Sequence, residues 1–63
     1  MKPINIKQAF EMDYIVTKIY AKESSIIRVT MRPRFFNNSS SIVEFWINRN
    51  YFKRNYPNIY ENN

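Results

Sequence analysis

Ile26-Ile27-Arg28-Val29-Thr30-Met31-Arg32-Pro33-Arg34-Phe35 is the stretch whose reading decides the fold. Ile27, Val29, Met31, Pro33 and Phe35 alternate with Arg28, Thr30, Arg32 and Arg34. Strict period-two alternation over this length belongs to a strand with one face buried and the other wet. Pro33 has no N–H to give to a ladder, which places this strand at a sheet edge or ends it there.

The next run, Ser41 to Asn48, alternates too, with Val43, Phe45 and Ile47 on one side and Ile42, Glu44, Trp46 and Asn48 on the other. Between the two runs, Phe36-Asn37-Asn38-Ser39-Ser40 has turn composition and hairpin-loop length. The pattern predicts a hairpin of about residues 26–36 and 41–48, with Val29, Met31 and Phe35 facing the core beside Val43, Phe45 and Ile47. In a competing reading Ser41 caps a helix with Glu44 as the third residue of a capping box, running to about Phe52. The β-branched and aromatic content of the segment favours the strand.

Towards the N-terminus the pattern divides. At helical spacing Ala9, Met12, Ile15, Val16, Ile19 and Tyr20 share one face and Lys7, Glu11, Lys18 and Lys22 the other, but Asp13 falls on the apolar side. Tyr14 to Tyr20 is also rich in strand formers. The expectation is a helix over Ile6–Met12, with residues 13–22 open between helix and strand and leaning to strand. A first strand there would turn at Glu23-Ser24-Ser25. At the other end, Arg49 to Tyr56 predicts a short helix halted before Pro57, and a tail over about 58–63 that frays. The fold class is therefore α+β: one small domain over 1–63, built on a β-hairpin or a three-stranded antiparallel meander (about 14–21, 26–36, 41–48).

Composition restricts the chemistry. The 63 residues contain no cysteine, histidine, glycine or leucine, but nine isoleucines and nine asparagines. That bias points to AT-rich coding, as in a phage, a mobile element, an organelle or a low-GC bacterium. No disulfide can form and the usual structural zinc sites have no ligands. A chain this short buries only about 60% of its unfolded surface, so stability must come from packing, a partner or self-association. Five Phe, five Tyr and one Trp supply much of the packing. Without glycine, turns fall to Asn, Ser and Pro, of which Asn best tolerates the left-handed conformation.

The same absences argue against an enzyme. Ser-His and Cys-His triads need residues the chain lacks, and no phosphate-cradling glycine loop exists. Glu11 and Asp13, the closest carboxylates, do not face each other on a helix and on a strand are ordinary surface charges. No cofactor or metal is expected. No apolar run reaches the roughly 18 residues of a membrane span, and the N-terminus has no apolar signal core, so the expected location is the cytoplasm. Asn37-Asn38-Ser39 and Asn38-Ser39-Ser40 fit the glycosylation pattern, but in such a chain read as turn sequence.

Ten Lys and Arg against five Asp and Glu give a net charge of +5. All of that excess falls within residues 26–56, where six basic residues meet one Glu. A basic balance suits polyanions such as nucleic acid, or an acidic protein surface. If Val43, Phe45 and Ile47 face the core, parity gathers Arg28, Thr30, Arg32 and Arg34 on the outer face with Ile42, Glu44 and Trp46. Two registers satisfy a short loop: Arg34 opposite Glu44 with Arg32 opposite Trp46, or Arg32 opposite Glu44 with Thr30 opposite Trp46. Either supports a platform in which arginines hold phosphates and Trp46 stacks on a base, or else a solvated face or a second packed wall. A second candidate, Arg49 to Tyr56, interleaves Arg49, Lys53 and Arg54 with Tyr51, Phe52 and Tyr56. This pattern suits strand binding as well as an anchored tail with wet charges.

The expected function is a small, basic, non-enzymatic binding protein. Its nucleic-acid or partner-binding residues would be Arg28, Arg32, Arg34, Trp46, Arg49, Lys53 and Arg54. The alternative is a protein-interaction module, such as a phage- or element-encoded modulator or an accessory subunit, taking a partner strand at the edge near Pro33. A third expectation is a homodimer that completes a marginal core.

Overall fold

The alternation that begins at Ile26 forms a strand as far as Pro33, and that strand lies at the centre of the sheet. The computed structural model describes residues 1–35 and 41–63. Its elements are α1 (Ile6–Glu11), β1 (Tyr14–Tyr20), β2 (Ile26–Pro33), β3 (Val43–Asn48), α2 (Arg49–Asn55) and α3 (Pro57–Asn62). The three strands form one antiparallel sheet in the order β1-β2-β3, the meander expected of an α+β domain. The expected turn at 36–40, with its two Asn-containing triplets, lies outside the described residues.

α1 starts where its cap dictates. The Asn5 side chain accepts from the Gln8 N–H at 2.8 Å, and the Gln8 side chain accepts in return from the Ile4 N–H at 2.7 Å. This is a capping box reaching one residue further back than usual. The helix ends because Asp13 takes a left-handed conformation, φ 64°, which turns the chain into β1. The residue that spoils the amphipathic pattern is the one that terminates it, and residues 14–20 become strand.

β1 carries a bulge at Thr17, where the pairing steps from Val16–Met31 to Lys18–Thr30. An extra residue reverses the in–out alternation. Tyr14, Val16 and Ile19 therefore face the core, and Ile15, Lys18 and Tyr20 share the opposite face. The Thr17 hydroxyl fills the irregularity, lying 2.9 Å from the Thr30 hydroxyl and 3.2 Å from the Thr30 carbonyl.

All three helices cover one face of the sheet. Ile6 and Ala9 of α1, Phe52 of α2 and Tyr60 of α3 enclose Ile27, Val29 and Met31, with Val43, Phe45 and Ile47 half-buried along the edge strand. Rings tie the helices together: Phe10 and Tyr56 lie 4.6 Å apart between centroids, Phe52 and Tyr56 5.3 Å. The capping-box helix at Ser41 does not form. Asn48 caps α2 instead, its side chain accepting from the Tyr51 N–H at 2.9 Å.

Several expectations are corrected. β2 is the central strand and β1 and β3 are the edges, so of the two roles expected of Pro33 it ends the strand, as one reading had it, and does not mark an edge. Strand β2 stops at Pro33, short of 36, because Arg34 turns away: its N–H donates to the Asp13 carbonyl and its guanidinium to the Asp13 carboxylate, at 3.1 and 2.9 Å. Phe35, expected in the core, is 80% exposed. Where a tail was expected over 58–63, the chain is helical over Pro57–Asn62. Pro57 opens α3, and the buried Tyr60 donates its hydroxyl to the Lys22 carbonyl at 2.9 Å. Of the left-handed positions among the described residues, none falls to Asn, Ser or Pro; they are Asp13 and Ala21.

Candidate nucleic-acid interface

Because every described helix lies on one side, the other side of the sheet is open. Parity brings Arg28, Thr30 and Arg32 of β2 to this face with Glu44 and Trp46 of β3, as the alternation requires. The register differs from both expected ones: Arg28 lies opposite Trp46 and Thr30 opposite Glu44. Pairing of β2 with β3 begins at Met31–Val43, which leaves a longer connection than either expected register.

The result is a row running straight across the sheet. Tyr20 pairs with Arg28 and Arg28 with Trp46, so an arginine stands between two aromatic residues, and its guanidinium leans on the Tyr20 side. With strands about 4.8 Å apart, the rings sit roughly 10 Å from each other. The Arg28 guanidinium carbon is 4.0 Å from the Tyr20 ring centre, and Lys18 Nζ is 4.7 Å from the same centre. Both are cation–π distances. Glu44 touches Arg28 only at 4.0 Å. Trp46 is 66% exposed, and Ile26 and Ile42 are exposed as well. On this face Lys18, Arg28 and Arg32 outnumber Glu44. Thr30, almost buried between the bulge and β3, is satisfied by donating to the Lys18 carbonyl at 3.2 Å.

The remaining candidates are dispersed. Arg32 folds back and donates to the Pro33 and Arg34 carbonyls at 3.0 and 3.3 Å. Arg34 has left the face for Asp13. It also lines a cleft of about 300 Å³ at the free edge of β1, with Phe10, Tyr14 and Ile59. Arg49 works as a clamp: its N–H donates to the Ser25 carbonyl at 2.9 Å and its guanidinium to the Glu23 carbonyl at 3.1 Å. Lys53 lies on the helical layer, its Nζ 5.4 Å from the centre of the Tyr60 ring, next to the exposed Arg54. The open face therefore unites Arg28, Arg32 and Trp46, and it does not include Arg34, Arg49, Lys53 or Arg54.

Two residues of the face, Tyr20 and Lys18, escape a reading by alternation. The bulge at Thr17 puts them there, and no residue type announces that bulge. On the helical side, burial and the neighbouring Tyr51 and Glu11 push the Tyr56 hydroxyl above its ordinary value, so this ring carries no charge at neutral pH. Among the described residues no group of three potential metal ligands gathers, and no helix is long and apolar enough to cross a membrane. Comparison with protein-family models, with curated proteins and with solved structures finds no match to this chain.

Proposed function

We propose that this chain is a non-enzymatic binding module that holds single-stranded nucleic acid on the open face of its sheet. The observation that carries the reading is the Tyr20–Arg28–Trp46 row, an arginine between two aromatic residues with Trp46 66% exposed, on a face left uncovered by every described helix. Unstacked bases lie on exposed rings whatever their sequence, and neighbouring cations hold the backbone. A duplex hides its base faces, so the reading is specific for single strands. The missing histidine, cysteine and glycine support a binding role over a catalytic one.

A protein-interaction role draws on a different observation. Among the described residues nothing pairs the outer edge of β3, which is six residues long, unbulged and free of proline and lysine. Such an edge suits strand addition by a partner. Recovery of a protein partner from nuclease-treated lysate, with no retention on nucleic acid, would favour it.

Trp46 is the sole tryptophan, so its fluorescence reports directly on a stacked base. Titration with an unstructured oligothymidylate should quench it, and affinity should fall steeply as salt rises. Trp46→Ala should weaken binding about 5- to 150-fold, the range for losing one stacked base, and leave the melting temperature nearly unchanged. Salt-insensitive binding, or equal affinity of wild type and variant, would sink the proposal.

A further inference from the structure

The aromatic row is the last complete one before the sheet ends. β1 finishes at Tyr20, β2 begins at Ile26, and β3 gives way to α2 after Asn48. The turn between β1 and β2 closes this end and is held firmly. Ser24 N–H donates to the Ala21 carbonyl at 2.9 Å, Arg49 grips Ser25 and Glu23, and Tyr60 holds the Lys22 carbonyl.

Two lysines converge on the far side of that turn. Lys22 Nζ lies 4.8 Å from the Tyr60 ring centre and Lys53 Nζ 5.4 Å from it. The three ion pairs among the described residues use Arg28, Arg34 and Arg49, and leave both lysines without a carboxylate. Glu23, the acid nearest in sequence, is engaged by Arg49 at 3.9 Å. Two cations against one ring, each without a carboxylate among the described residues, are both free to take an anion. Lys22 follows Tyr20 by two residues, so its backbone is within about 7 Å of the platform.

Resting on the single-strand reading above, we infer that the bound strand does not end at the sheet. Its backbone passes over the β1–β2 turn, and phosphates beyond the stacked bases sit on Lys22 and Lys53. The site thus has two parts: aromatic rings that take bases, and a lysine pair that takes only backbone.

The test compares oligothymidylates of about 3 and about 12 nucleotides, lengths that bracket a short platform and a full single-strand site. For wild type, log affinity against log salt should be steeper for the longer oligomer by about 1.4, two phosphate contacts at roughly 0.7 each. Lys22→Gln/Lys53→Gln should remove that difference, binding the short oligomer as wild type does and the long one less tightly. Lys22→Arg/Lys53→Arg should restore it. Equal wild-type slopes for both lengths overturn the inference even if the glutamine variant fails to fold. So does a folded glutamine variant that binds the long oligomer unchanged. Loss of binding in Trp46→Ala with no effect of the lysine changes leaves the platform standing and removes the lysine track. If wild type binds neither oligomer, both fall together.

Discussion

Ala21 holds φ 53° at the end of β1, where the Cβ of an L-residue crowds the following carbonyl at a cost of about 1–2 kcal/mol. A glycine there would relieve the crowding but would enlarge the unfolded ensemble, which takes back about 0.5–1 kcal/mol. The balance favours Ala21→Gly. Ala21 is exposed, so no packing is lost. A gain of about 0.5–1 kcal/mol corresponds to a rise in melting temperature of roughly 2–8 °C in a domain of this size, read by circular dichroism. Asp13 is the instructive contrast. It is left-handed too, but its carboxylate accepts from the Arg34 guanidinium at 2.9 Å and its carbonyl from the Arg34 N–H. Asp13→Gly would relieve strain and break the side-chain contact together, so it should gain less than Ala21→Gly or nothing. Equal gains would show that the Asp13–Arg34 contact contributes little, as exposed ion pairs often do.

At the scale of elements, Asn48 serves two at once. It is the last residue of β3, paired with Ile26, and the cap of α2. α2 has no acidic residue in its first turn; the Arg49 N–H is taken by the Ser25 carbonyl, and the Asn48 side chain is the oxygen that serves the Tyr51 N–H. Asn48→Ala should cost about 0.5–2 kcal/mol, and Asn48→Asp or Asn48→Ser should recover most of it. Urea unfolding would show the alanine variant with a lower midpoint and an unchanged slope. This junction also shows what a sequence reading can reach. The α1 and α2 helices and the body of β2 were legible, because apolar spacing and capping residues act within a few positions of each other. Parity was legible as well, and it put Arg28, Arg32 and Trp46 on one face. The register was not, because parity is the same for every two-residue slip and the connection between the strands is longer than a short hairpin loop. Tyr20 was missed for a different reason. Thr17 bulges where its hydroxyl meets Thr30 on the neighbouring strand, and that contact exists only after the strands have paired. The α3 helix was not legible either, because its anchor, the Tyr60 hydroxyl on the Lys22 carbonyl, spans 38 positions.

For the whole molecule, one sheet covered by helices on one side means that a single apolar layer carries the stability, while no described helix covers the other side. A chain of this size has roughly 3–9 kcal/mol of stability at the usual 0.05–0.15 kcal/mol per residue. Phe52 sits at the centre of the covered side, fully buried, against Tyr56 and Tyr60 with ring centroids at 5.3 and 6.5 Å. Truncating such a ring costs about 3–5 kcal/mol, a large share of that total and at its lower end all of it. With no disulfide or zinc site to compensate, Phe52→Ala should lose its cooperative thermal transition or melt far below wild type. Phe52→Leu, which keeps most of the volume, should retain a cooperative transition at a lower temperature. Trp46 lies on the other face of the same sheet, and Trp46→Ala should melt within a few degrees of wild type, since exposed substitutions usually change stability by less than about 0.5 kcal/mol. Calorimetry on the three variants separates the two sides of the sheet. If Trp46→Ala proved as destabilising as Phe52→Ala, Trp46 would be packed in solution, against a second copy or a covering segment. The open face would then be an interface already occupied.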